Sequence, residues 1–184
     1  MEAFLVSTGV VALAEIGDKT QLLALVLAAR FRRPLPITAG IVLATLANHA
    51  LAASLGAWVT NALGPEATRW IVGVSFLAIG AWMLVPDKLE GGGTDRARFG
   101  VFVTTLVAFF LAEMGDKTQV ATVVLAARYA SVPVIVAGTT LGMLLANVPV
   151  VLLGDRLVRR LPVKAMHRAA AAVFVLLGAL AIAS

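Results

Sequence analysis

The sequence predicts an all-α integral membrane protein with six transmembrane helices, arranged as two inverted-topology repeats of three helices each. Three observations lead there: an excess of apolar residues, six separate apolar runs, and a long motif that occurs twice. Of 184 residues, 60% are hydrophobic and 14% charged, whereas a water-soluble domain has roughly a quarter of its residues charged. Too few polar side chains remain to cover a compact body in water, so an apolar solvent is required.

The apolar runs occupy 4–28, 36–60, 69–86, 99–127, 132–154 and 167–183. A helix needs roughly 20 residues to cross a hydrocarbon core of about 30 Å. The first and fourth runs exceed that length and have room to tilt, while the third and sixth lie near its lower limit. The connections are short and carry turn residues: 30–36, 61–69 and 85–98, the last with Gly91-Gly92-Gly93. Trp58, Trp70 and Trp82 fall near run ends, where interfacial anchors belong. The opening run lacks a basic leader and contains Glu15, Asp18 and Lys19, so it reads as a mature helix rather than a removable signal peptide.

Charge bias orients the chain. With the N-terminus outside, eleven Lys and Arg side chains fall on the cytoplasmic side: Arg30, Arg32, Arg33, Lys88, Arg96, Arg98, Arg156, Arg159, Arg160, Lys164 and Arg168. Only Arg69 and Arg128 fall opposite. Both termini are therefore expected on the non-cytoplasmic face of the cell inner (plasma) membrane. The net charge of +5 reflects this arrangement and is no nucleic-acid footprint. Cysteine is absent, which excludes disulfides and thiolate metal sites.

The duplication is direct. AEIGDKTQ at 14–21 returns as AEMGDKTQ at 112–119, an offset of 98 residues. The same offset pairs Ala28-Ala29-Arg30 with Ala126-Ala127-Arg128, and Gly40, Gly56 and Gly80 with Gly138, Gly154 and Gly178. Matches across three successive runs indicate a duplicated three-helix unit. The expected parts are repeat 1 (1–86), a cytoplasmic connecting loop (87–98) and repeat 2 (99–184). Because three is odd, the second unit starts from the opposite side of the membrane. The halves are then related by a pseudo-two-fold axis in the membrane plane, an arrangement suited to alternating access.

Glu15 lies 11 residues into its run and 15 before Arg30, and Glu113 likewise stands 15 before Arg128. At 1.5 Å per residue both reach the midplane. Read as continuous helices, each copy places Glu and Asp on one face: Glu15 with Asp18, and Glu113 with Asp116, with Gln21 and Gln119 extending the stripe. Charged side chains at the bilayer centre are costly. Four carboxylates there point to compensating cations, protons or water. An oxygen-only donor set suits hard divalent cations such as Ca²⁺, Mn²⁺ or Mg²⁺, and protons compete for the same oxygens. Glu15, Asp18, Glu113 and Asp116 are the expected metal ligands.

Other motif positions have two readings each. Gly17 and Gly115 either admit an ion or pack helices closely; Thr20 and Thr118 either contact the ion or bond their own backbone. Lys19 and Lys117 stand four residues after a glutamate, as in a helical ion pair. Asn48, His49 and Asn147 either line a pathway or bond between helices. Met114 is expected as core filler rather than an ion contact. Gly138, Gly142 and Ala146 form a close-packing stripe, and Asp155 is expected to cap a helix or pair with Arg159.

The two signatures, Glu15-Ile-Gly-Asp-Lys-Thr20 and Glu113-Met-Gly-Asp-Lys-Thr118, resemble those of the UPF0016 family of cation transporters, also called the GDT1 or TMEM165-like family. The resemblance covers nearly the whole chain and loses no signature position. It implies a secondary transporter of Mn²⁺ or Ca²⁺ with proton exchange, and it implies the four acidic residues as ion ligands. Short bacterial members are associated with manganese export. Mn²⁺ export driven by proton entry is therefore expected, with Ca²⁺/H⁺ antiport as the alternative. A membrane scaffold is the alternative of a different class. No enzyme is expected: a His-Glu-x-x-His zinc motif is absent. The ion is substrate, not a permanently bound cofactor. A homodimer is compatible with the sequence, but one chain supplies both halves of the site.

Overall fold

The computed structural model describes residues 1–85, 100–129, 131–154 and 162–183. The connecting loop 87–98 with its glycine run, Asp155, and the basic residues Lys88, Arg96, Arg98, Arg156, Arg159 and Arg160 lie outside them. Every element among the described residues is helical: α1 (Glu2–Glu15), α2 (Lys19–Phe31), α3 (Pro34–Trp82), α4 (Gly100–Glu113), α5 (Lys117–Tyr129), α6 (Val132–Leu153) and α7 (Val163–Ala183).

Among the described residues, three helices are long and apolar enough to cross a membrane: α3 with 49 residues, α6 with 22 and α7 with 21. A straight helix of 49 residues would run about 74 Å, more than twice the hydrocarbon core. The chain avoids that length at Gly64, whose φ of 75° and ψ of 173° interrupt the helix just before Pro65. Proline lacks the N–H that would continue the backbone ladder, and the break separates 34–63 from 65–82. Thr68 donates its hydroxyl to the Gly64 carbonyl at 2.6 Å, which secures the start of the second limb.

The first and fourth predicted runs differ from expectation. Each is two helices, α1 with α2 and α4 with α5, and each breaks inside its signature. Ile16 is extended (φ −70°, ψ 117°) and Gly17 has φ 84°, while Gly115 has φ 74°. An L-residue is disfavoured at such positive φ, so glycine there ends one helix before Asp begins the next.

Packing at two of the paired glycine positions, 40 with 138 and 80 with 178, follows the 98-residue offset. A Cβ on Gly40 would lie 2.8 Å from Thr105 Cβ and 2.9 Å from the Phe102 carbonyl; one on Gly138 would lie 2.0 Å from Ser7 Oγ and 2.9 Å from the Phe4 carbonyl. These are equivalent contacts, α3 on α4 and α6 on α1. Gly80 meets Val175 and Ala171, and Gly178 meets Leu77 and Gly73, again as equivalents. Phe76 and Phe174 occupy the same position in the two copies and pack on each other, with ring centroids 5.9 Å apart. Gly142 sits against the Thr8 carbonyl and Ala12 amide of α1, so the expected small-residue stripe on α6 is a close-packing surface.

Large apolar side chains remain on the outside: Leu51 is 63% exposed, Trp58 65% and Leu176 59%. A surface of this kind matches an apolar surrounding. Inside, by contrast, stand the acidic residues of the two signatures, Glu15, Asp18, Glu113 and Asp116.

Candidate metal centre

The signature breaks bring carboxylates together from both copies. Glu15, the last residue of α1, and Glu113, the last of α4, have no exposed surface; Asp18 and Asp116 are 1% exposed. One oxygen from each of Glu15, Glu113 and Asp116 lies within 4.8 Å of the others. Asp18 is not in that group of three. It stands at the N-cap of α2 with extended backbone (φ −82°, ψ 170°), where a carboxylate meets the positive end of the helix dipole.

Each turn builds itself in the same way. The Asp18 amide donates to the Glu15 carbonyl at 3.1 Å, and the Asp116 amide to the Glu113 carbonyl at 3.1 Å. Broken helices leave backbone N–H groups without intrahelical partners, and the glutamines satisfy one in each copy. Gly17 N–H donates to Gln21 Oε1 at 3.0 Å, and Gly115 N–H to Gln119 Oε1 at 2.6 Å. The same side chains tie the turns to the long helices: Gln21 Nε2 donates to the Ala146 carbonyl at 3.0 Å, and Gln119 Nε2 to Asn48 Oδ1. Ala146 and Asn48 are themselves repeat equivalents.

The threonines act on the carboxylates rather than on their own helix. Thr20 Oγ1 donates to Glu15 Oε2, and Thr118 Oγ1 to Glu113 Oε2 at 3.3 Å. Each contact holds one carboxylate oxygen and leaves Oε1 of the same glutamate without a hydrogen-bond partner among the described residues. Asp116 behaves similarly: Oδ1 lies 3.3 Å from Lys19 Nζ, while Oδ2 has no hydrogen-bond partner among them. Three acidic side chains thus present an open oxygen apiece in a buried space, where unpartnered oxygens are unfavourable unless a cation or proton joins them.

Several expectations from a continuous helix are corrected here. Glu and Asp of one copy do not share a helical face, because the turn at Gly17 or Gly115 separates their helices. Lys19 pairs across the molecule with Asp116 instead of with Glu15. Lys117, 1% exposed, donates to the Val85 carbonyl at 3.1 Å and lies 6.0 Å from the Trp82 ring centroid. Met114 is 55% exposed, so it is not core filler. His49 borders the cluster at Glu113 without being one of the three residues that converge: Nε2 stands 3.9 Å from Glu113 Oε2, and neither residue has exposed surface. Asn147 bonds along its own helix, donating to the Met143 carbonyl at 3.1 Å.

A largely helical, apolar-surfaced chain with an enclosed acidic cluster drawn from two copies of one motif defines a membrane protein able to accommodate cations. The family model described as "Divalent cation/proton antiporter GDT1" matches residues 3–91 and 101–184, and the chain belongs to that family. A Vibrio cholerae protein called "Putative manganese exporter" is 53% identical over 178 residues, which cover 96% of this chain and 88% of the relative. "GDT1-like protein 4" of Oryza sativa subsp. indica is 30% identical over 167 residues, covering 77% of this chain and 59% of that protein. "GDT1-like protein 5" of Arabidopsis thaliana is 34% identical over 96 residues, covering 52% and 42% respectively. No solved structure matches. Membership in a transporter family accords with a non-enzymatic role.

Proposed function

We propose that this chain exports Mn²⁺ from the cytoplasm in exchange for protons, by alternating access at a midplane site formed by Glu15, Asp18, Glu113 and Asp116. The observation that carries the reading is the convergence of buried Glu15, Glu113 and Asp116 oxygens from the two copies within 4.8 Å, in a chain of a cation/proton antiporter family. The name of the Vibrio cholerae relative favours manganese as cargo. Ca²⁺/H⁺ antiport is the second reading, favoured by the oxygen-rich donor set.

The proposed scaffold has six spans in two inverted repeats. It is supported by the Gly64 break in α3, by equivalent glycine contacts, and by Phe76 packing on its counterpart Phe174. In this reading both termini face away from the cytoplasm and one chain suffices. Metal entering from the cytoplasm displaces protons from the open carboxylate oxygens. The halves then exchange conformations, and protons on the outer side displace the metal. Threonine contacts keep one oxygen of each glutamate oriented through the cycle.

Reconstituted full-length protein should move Mn²⁺ against an imposed proton gradient, with internal pH and metal followed together by fluorescent indicators. Glu15→Gln or Glu113→Gln removes one charged ligand and one proton site, so each should slow exchange by roughly 100-fold, a difference of about 3 kcal/mol. Undiminished flux in the double substitution would sink the site. Metal movement indifferent to the proton gradient would leave a uniporter and sink antiport.

A further inference from the structure

His49 and Asn147 are repeat equivalents that carry different donor atoms. Asn147 is engaged with its own helix through Nδ2, which donates to the Met143 carbonyl and lies 2.9 Å from Met143 Sδ. His49 has no such bond. It is 0% exposed, and neither ring nitrogen has a hydrogen-bond partner among the described residues. Nε2 instead faces Glu113 Oε2 at 3.9 Å, beyond hydrogen-bond reach. The adjacent Asn48 accepts from Gln119 and donates to the Phe110 carbonyl at 3.3 Å. The backbone that carries His49 is therefore fastened to the second signature turn.

A nitrogen and an oxygen 3.9 Å apart are too far to bond each other, yet close enough to share an ion. Bonds of about 2 Å to each donor place two ligands of one metal no more than about 4 Å apart. We propose that His49 is a ligand of the transported ion, its neutral Nε2 sharing that ion with Glu113. The inference rests on the cation-exchange reading and adds a basis for selection. Imidazole is foremost a ligand of zinc, copper, iron and nickel; Mn²⁺ is content with oxygen but belongs to the same first-row series, whereas calcium takes oxygen ligands. One nitrogen among carboxylates thus favours Mn²⁺ over Ca²⁺.

The test uses full-length protein without a histidine tag, in detergent, loaded with Mn²⁺ and read by electron spin-echo envelope modulation. Bound Mn²⁺ should show modulation from a coordinated nitrogen. The chain has two histidines, so the signal should persist in His167→Gln and vanish in His49→Gln while Mn²⁺ stays bound. In vesicles, His49→Gln should lower the Mn²⁺-over-Ca²⁺ transport ratio about tenfold, within the range seen when metal-site support is lost. Bound Mn²⁺ without nitrogen modulation in the parent protein overturns the ligand and leaves the carboxylate site standing, and this measurement requires no variant to fold. Loss of the signal in His167→Gln, or an unchanged transport ratio in His49→Gln, also overturns it. A parent protein that takes up no Mn²⁺ at all instead overturns the transport reading beneath it.

Discussion

The signature turns at 15–21 and 113–119 share their internal bonding and the positions to which their glutamines reach, and differ in packing and in charged contacts. In both, glutamate ends a helix, glycine reverses φ, a threonine holds one glutamate oxygen, and a glutamine accepts from the glycine amide. Outside contacts break the likeness. The first turn is crowded: a Cβ on Gly17 would lie 2.2 Å from Val163 Cγ1, whereas one on Gly115 would meet nothing within 4 Å. Among the described residues, the contacts of basic side chains with the three-carboxylate cluster both fall on the second copy, Lys19 on Asp116 and His49 on Glu113. Local sequence sets the turn, and the opposite copy sets its electrostatics.

Substituting the glycines probes the sharpest contrast. Both Gly17→Ala and Gly115→Ala force an L-residue to positive φ, at about 1–2 kcal/mol. Gly17→Ala adds an overpacking cost of roughly 1–3 kcal/mol against Val163. Thermal unfolding in detergent should therefore rank Gly17→Ala well below Gly115→Ala. Equal losses would mean that Val163 yields without resistance.

The lysines come next. Lys117 is buried against the Val85 carbonyl and the Trp82 ring, so Lys117→Gln should cost about 1–3 kcal/mol of stability with little change in metal affinity. Lys19, with its side chain 26% exposed, holds Asp116 in place of a cation. Because such a partly solvated pair is worth less than about 1 kcal/mol, Lys19→Gln should tighten Mn²⁺ binding roughly two- to fivefold. Calorimetric titration measures it, and weaker binding would show that Lys19 aligns Asp116 rather than competing for it.

Smallest are the glutamines. Each satisfies one glycine amide, so Gln21→Ala and Gln119→Ala should each cost about 1 kcal/mol, read by the same unfolding measurement. Gln119→Ala should also disturb His49 through Asn48, and therefore alter metal affinity more than Gln21→Ala does.

Much of this site was legible in the residues alone. The 98-residue offset paired the two motifs, and equal spacing from each glutamate to its following arginine carries the expectation of a common depth. Depth carries no azimuth, however, which is why His49 remained one of several polar residues in its run. The helix breaks were missed because apolar periodicity continues through both motifs. The signal lay in the order of residues: glycine commonly closes a helix and aspartate commonly opens one, so Gly17-Asp18 and Gly115-Asp116 spell an end followed by a start. Small size alone does not explain these glycines: φ of 84° and 74° shows conformation to be the reason for their presence. Once the helix is interrupted, the threonine hydroxyls are free to find the preceding glutamates.

The glycines that face across the molecule carry one more consequence. Gly40 accommodates Thr105, Gly138 accommodates Ser7, and Gly80 and Gly178 receive the counterpart limbs. Neither half owns a finished surface, for each is moulded to the main chain of its twin. A bulky replacement on one side must be answered by a yielding one on the other. Divergence between the twins is therefore easiest away from these glycines, as at His49 against Asn147.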